Sequence, residues 1–217
     1  MRKYKTLLFD LDGTLTDPML GITRSVQYAL QKFEIQVNDL SELCPFIGPP
    51  LDESFKKYYS LSEQQTKEAI AYYRVYFSKT GIFENKPYPG IDELLHYFRE
   101  EGFQLMVATS KPTCFAKQIL THFDLDKYFI FVGGSELDGT RSAKAEVISY
   151  VLQQNHITQL EEVVMIGDRE HDIFGAKKVG IDSIGVLYGY GRSAELTNAG
   201  ATYLVENVEG LKDYICL

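Results

Sequence analysis

The stretch "LLFDLDGTLTD", Leu7 to Asp17, sets three carboxylates, Asp10, Asp12 and Asp17, at the end of an apolar run in a chain of formal charge -8. Like charges crowded where a strand leaves its sheet repel one another, so the fold alone gives no reason for them. Asp10 and Asp12 stand at i and i+2, which on a continuing strand points both side chains the same way, and Gly13 frees the backbone to turn at once. The repulsion is relieved if one acid is protonated or if a cation sits between them. Either remedy suits chemistry.

Four further β-like runs follow: "QLMVATS" (Gln104 to Ser110), "FIFVG" (Phe129 to Gly133), "EVVMIGD" (Glu162 to Asp168) and "SIGVLY" (Ser183 to Tyr188), the first strand being "KTLLFD" (Lys5 to Asp10). Most are apolar without alternation, as strands buried on both faces are. Helical patterns lie between the later ones, such as Phe115, Ile119 and Phe123, and Ile173, Ala176, Lys177 with Gly180 as a stop. Strands separated by helices imply right-handed crossovers and a parallel, Rossmann-like α/β sheet.

The interval between the first two strands is too long for one crossover helix and carries only helical signals. "GITRSVQYALQKF" repeats Ile22, Val26, Ala29, Leu30 and Phe33 at helical spacing, and Ser62 with Gln65 forms a capping box before "KEAIAYYRVYF". "NKPYPG", Asn85 to Gly90, reads as the return linker. The expected organisation is a sheet domain of residues 1–15 and 84–217 with a small all-helical insertion of residues 16–83.

Three apolar strands finish in a polar residue: Asp10, Thr109 and Asp168. In an open parallel sheet ligands bind beyond the carboxyl ends of the strands, so these endings should face one crevice. Asp168 and Asp172, in "GDREHD", are i and i+4 at a helix start. They read either as a cap with a surface acid or, beside Asp10 and Asp12, as oxygen ligands for magnesium; the second explains both pairs. Lys144 lies near a helix N-terminus, where a cation is disfavoured unless an anion is close. Thr109 offers a hydroxyl, and Ser110 the neighbouring N–H, to the same anion.

The composition removes whole classes of partner. Among 217 residues, 30 are acidic against 22 Lys and Arg, and the pI is about 5.1 with mean hydropathy -0.16. There is no basic footprint for nucleic acid or an anionic membrane. No segment approaches the about 18 consecutive apolar residues of a membrane span, and the apolar stretch in "MRKYKTLLFDLDGT" is too short for a signal sequence, so a cytoplasmic protein is expected. Cys44, Cys114 and Cys216 form no CxxC pair and read as core or terminal thiols.

Taken in order, "DLDGT", "VATSK", a lysine before a helix and "GDREHD" resemble the haloacid dehalogenase superfamily of hydrolases, and the resemblance covers essentially the whole chain. It implies phosphoryl transfer through an aspartyl-phosphate on Asp10, with Asp12 as acid and then base. Magnesium would be held by Asp10, the Asp12 backbone carbonyl and Asp168. Thr109, Ser110 and Lys144 would hold the phosphate, and Asp172 would orient a metal water or Lys144. The dehalogenases of the superfamily resemble this chain but have a tyrosine where Asp12 stands, which argues here for a phosphate substrate. The helical insertion is similar to the small cap of the superfamily.

"FDLDGTLTD", "FIGPPL" and "TSKP" are most similar to phosphoglycolate phosphatase-like members, although Pro18 stands where those more often carry Ser or Thr. A nucleoside 5'-monophosphatase, a sugar-phosphate mutase and a non-catalytic binding module stay open as alternatives. The expected partner is a small phosphorylated metabolite, the chain being a monomer or homodimer. Candidate specificity residues in the insertion are Arg24, Phe46, Ile47, Lys56 and Tyr76. The tyrosine-rich run Tyr72, Tyr73, Tyr76, Phe77 reads as helix packing, and "GYGRSA", Gly189 to Ala194, as a glycine-rich exit loop near the site rather than a dinucleotide loop.

Overall fold

The central strand β1 (Thr6–Phe9) is buried along its whole length, which is why it carries an unbroken apolar run. In this computed structural model, which describes residues 3–216, two compact units are found: Met1–Asp17 with Pro87–Leu217, and Pro18–Lys86. The chain passes between them through two short strands, β2 (Thr16–Asp17) and β3 (Lys86–Pro87).

In the first unit β1 is joined by β4 (Gln104–Pro112), β5 (Phe131–Ser135), β6 (Val163–Gly167), β7 (Asp182–Val186) and β8 (Tyr203–Val205). They form a six-stranded sheet in the order β5-β4-β1-β6-β7-β8, and every pairing is parallel. From β1 the chain builds outward to β4 and β5 on one side, then crosses to β6, β7 and β8 on the other. The switch point therefore falls at β1, and ligands bind at such a point in open α/β sheets.

The crossover helices are α4 (Ile91–Glu100), α5 (Thr113–His122), α6 (Lys144–Gln154), α7 (Glu170–Val179) and α8 (Ser193–Ala199). Their apolar stripes face the sheet: Val147, Ile148, Val151 and Leu152 of α6 pack with Leu8, Met106, Val163 and Met165 of three adjacent strands. Burying each such side chain contributes on the order of 1.5–3 kcal/mol. Gly180 ends α7 with φ 88°, as its position after the periodic residues predicts. A last short helix, α9 (Leu211–Ile215), buries Leu211 and Ile215.

The second unit is helical: α1 (Met19–Gln31), a 3-10 segment over Leu40–Phe46, α2 (Leu51–Tyr59) and α3 (Glu63–Phe77). The capping box forms, with Ser62 Oγ accepting from Gln65 N at 3.3 Å and Gln65 Oε1 accepting from Ser62 N at 3.0 Å. The tyrosine-rich face of α3 packs inside its own unit, Tyr73 stacking on Phe77 and Tyr76 meeting Tyr28. Two sequence expectations need correction. A sixth strand, β8, was not expected, and Cys114 is exposed near the start of α5 rather than a core thiol.

Candidate active site

The register brings the polar residues together. Phe9 pairs with Val107 and with Ile166, so Asp10 lies level with Ala108 and Gly167, and Thr109 and Asp168 stand one residue further along the same edge. Asp10 continues the ladder, its N–H donating to Ile166 O at 2.9 Å. Its Oδ1 accepts from Leu11 N at 2.8 Å and its Oδ2 lies 2.8 Å from Lys144 Nζ.

Lys144 is the first residue of α6, and the anions that offset its place at a helix N-terminus are protein carboxylates. Its ammonium sits 2.8 Å from Asp10, 2.7 Å from Asp172 and 3.2 Å from the Ala108 carbonyl oxygen, and it is only 5% exposed. Burial pulls its pKa down, but the two carboxylates outweigh burial and hold it protonated. Asp172, 1% exposed, is no surface acid. Burial lifts its carboxyl to about 6 against the opposing pull of Lys144, and Oδ2 accepts from Arg169 N at 3.1 Å.

Asp168 is fully buried and its pKa lies well above the ordinary carboxylate range, first through burial and then through the neighbouring Asp172. Its Oδ2 accepts from Tyr190 N at 2.8 Å; its Oδ1 finds no hydrogen-bond partner among the described residues. One oxygen each from Asp10, Asp168 and Asp172 lies within 4.8 Å of the others. Three buried carboxylates with one lysine and an unpartnered oxygen form the hard, oxygen-rich donor set that suits a divalent cation such as magnesium.

Asp12 lies beyond the end of β1, next to the buried Asp10. Each acid has its own lysine, Lys111 Nζ standing 2.5 Å from Asp12 Oδ2. Burial raises the Asp12 pKa while Lys111 lowers it, and burial prevails. Thr109 is buried, with Oγ1 accepting from Lys111 N at 3.2 Å. Ser110 is half-buried, and its carbonyl oxygen accepts from Ser135 Oγ at 2.8 Å.

Glycine makes this crowding possible. Gly13 adopts φ +80°, and a Cβ there would come within 2.2 Å of Asp168 Oδ2. At Gly191 a Cβ would lie 1.8 Å from the Asp168 carbonyl oxygen. The loop read from sequence as a glycine-rich exit thus packs directly on Asp168, and the Tyr190 hydroxyl donates to Asp17 Oδ1.

The structure places Asp10, Lys144, Asp168 and Asp172 in one cluster, with Asp12 beside it and Thr109 and Ser110 on the adjoining strand. Arg24, Phe46, Ile47, Lys56 and Tyr76 belong to the helical unit. There Phe46 and Ile47 are buried, Phe46 against Phe55, while exposed Lys56 lies 3.9 Å from Glu63. Arg24 and Tyr76 converge on Glu84, which sequence reasoning did not single out. Lys111 and Tyr190 were missed too, although "VATSK" and "GYGRSA" contained them. No described helix is long and apolar enough to cross a membrane.

Residues 7–186 match the family model of the haloacid dehalogenase-like hydrolases. A protein of Pseudomonas aeruginosa named 5'-nucleotidase is 45% identical over 98% of this chain and 96% of its own length. A phosphoglycolate phosphatase of Colwellia psychrerythraea is 28% identical over 97% of this chain and 96% of its own. The solved structure of a "predicted phosphatase" from Clostridium acetobutylicum superposes with a TM-score of 0.96 at 53% identity, over 98% of both chains. A match over most of the sequence, and relatives sharing about half of its residues from end to end, leave one conclusion: the chain belongs to the haloacid dehalogenase-like hydrolases and is a phosphatase, a phosphoric monoester hydrolase.

Proposed function

We propose that the protein hydrolyses a small phosphate monoester through a phosphoryl group carried on Asp10, in a magnesium-dependent reaction. The observation that carries this reading is the buried Lys144 ammonium, 2.8 Å from Asp10 and 2.7 Å from Asp172, beside the unpartnered Asp168 oxygen. Asp10, the Asp12 carbonyl oxygen and Asp168 would hold magnesium, whose charge, when bound, offsets that of the phosphate.

Asp10 attacks phosphorus, and the bond to the leaving oxygen breaks. Asp12 gives that oxygen its proton, then takes a proton from the water that attacks the phosphoryl group, so that inorganic phosphate leaves and both acids return to their starting states. Thr109, the Ser110 N–H and Lys144 bind the phosphate oxygens as charge shifts among them. Asp172 keeps Lys144 in place.

A nucleoside 5'-monophosphate is favoured over phosphoglycolate as substrate, because the relative named 5'-nucleotidase shares 45% of residues against 28% for the phosphoglycolate phosphatase. The test is phosphate release from nucleoside monophosphates, phosphoglycolate and sugar phosphates, with and without magnesium. Magnesium-dependent release favouring nucleoside monophosphates is expected. A preference for phosphoglycolate would overturn the substrate class, and no release from any compound would overturn the reaction.

A further inference from the structure

Lys111 has no place in the scheme above, yet its side chain is 6% exposed and it reaches across to a carboxylate that is 11% exposed. Desolvating an ammonium and a carboxylate costs several kcal/mol each, and a well-packed apolar pair generally serves stability as well or better. Burial of the pair is therefore weak evidence that it serves stability.

The backbone around Lys111 is fixed on several sides. It lies in the part of β4 where pairing with β5 shifts register, between Ala108 and Pro112. Its N–H donates to Thr109 Oγ1 at 3.2 Å, and the rigid ring of Pro112 follows. On the neighbouring strand Gly134 lies so near that a Cβ there would come within 2.3 Å of the Lys111 carbonyl oxygen. From that base Nζ meets Asp12 Oδ2 at 2.5 Å, while Asp12 Oδ1 has no hydrogen-bond partner among the described residues. Lys144 serves a different acid, its ammonium standing at Asp10, Asp172 and the Ala108 carbonyl oxygen.

We propose that Lys111 is a positioning residue for Asp12: it grips Oδ2, stops the carboxyl group from turning about its Cβ–Cγ bond, and so reserves Oδ1 for the leaving oxygen of the substrate. The inference rests on the reading of Asp12 as the acid of the first step. A held carboxyl group donates in one geometry, whereas a free one spends most of its time misaligned. The gain is confined to substrates whose leaving oxygen needs a proton. An alkoxide does; the stabilised p-nitrophenolate does not.

The test compares a nucleoside 5'-monophosphate or another alkyl phosphate that the enzyme turns over with p-nitrophenyl phosphate, reading the rate of leaving-group release in the first turnover at saturating substrate. Lys111→Met is expected to slow alcohol release by about a hundredfold and p-nitrophenolate release by less than about threefold. Lys111→Arg, which keeps the charge, should recover part of the alcohol rate. Lys111→Gln gives the same reading should the methionine variant fail to fold.

Equal slowing of both substrates, or a change in KM alone, overturns the inference, the latter because it would make Lys111 a substrate-binding group. Asp12→Asn measured alongside separates the two levels of the argument. If it too slows both substrates equally, the acid role of Asp12 is wrong. If it discriminates and the Lys111 variants do not, only the positioning role fails.

Discussion

The two ends of the same sheet treat charge in opposite ways. At the amino end, Lys3 and Tyr4 meet Asp182 at 2.6 and 2.7 Å and Lys5 meets Glu162 at 2.6 Å, with the two lysine side chains 51% and 65% exposed. At the carboxyl end, Asp10, Asp12, Lys111, Lys144, Asp168 and Asp172 are each at most 9% exposed, and two of their oxygens have no partner among the described residues. Solvated pairs contribute about 0–1 kcal/mol and are inexpensive to keep. Buried charges carry a desolvation cost that their pairing must offset, a cost the amino end does not bear.

The largest break in this contrast should come from Lys144→Met. With the ammonium gone, Asp10 and Asp172 face each other unpaired; steady-state turnover should fall by about a thousandfold, and thermal unfolding of the metal-free protein should show a loss of about 3 kcal/mol. A variant with near-normal turnover would remove Lys144 from the site. Next in size is Gly191→Ala. Its Cβ must displace the Asp168 backbone rather than a pliable side chain, so about 2 kcal/mol of stability and a raised magnesium requirement are expected, read by denaturant unfolding and metal titration.

Acidity sharpens the comparison more gently. Burial lifts Asp172 to about 6 from an ordinary 3.8 and lifts Asp168 as well. The folded state of the metal-free protein therefore holds these protons more tightly than the unfolded chain does. Their contribution to stability is full below the unfolded value and is lost as pH rises through the folded one. Magnesium competes with the Asp168 proton, so the thermal shift it produces should grow as pH rises. A shift independent of pH would mean that the metal sits elsewhere. The smallest effect belongs to the opposite end: Lys5→Ala should change stability by less than about 0.5 kcal/mol and activity not at all.

Much of this arrangement was legible because the physics that writes it is local. β1 and β6 lack alternation since both faces are covered, and the acids of DxD and GDxxxD stand where such strands end. The strand expected at Phe129–Gly133 lies two residues later, at Phe131–Ser135, because a 3-10 turn over Asp126–Tyr128 delays it. β8 escaped notice because three residues at a sheet edge, two of them only half-buried, carry no pattern. Lys111 was hidden for another reason. Nothing in "ATSK" reveals the register shift of β4 or a partner 99 residues away. Arg24 and Glu84, 60 residues apart, posed the same difficulty.

The central claim is that Asp10 carries the phosphoryl group. Wild-type protein mixed with substrate and magnesium, quenched in acid within one turnover and examined by peptide mass spectrometry, should show a phosphoryl group on the peptide containing Asp10. It should be absent from Asp10→Asn, whose turnover should be abolished. Retained phosphate release by a clean Asp10→Asn preparation, or a phosphoryl group on another residue, would contradict the account.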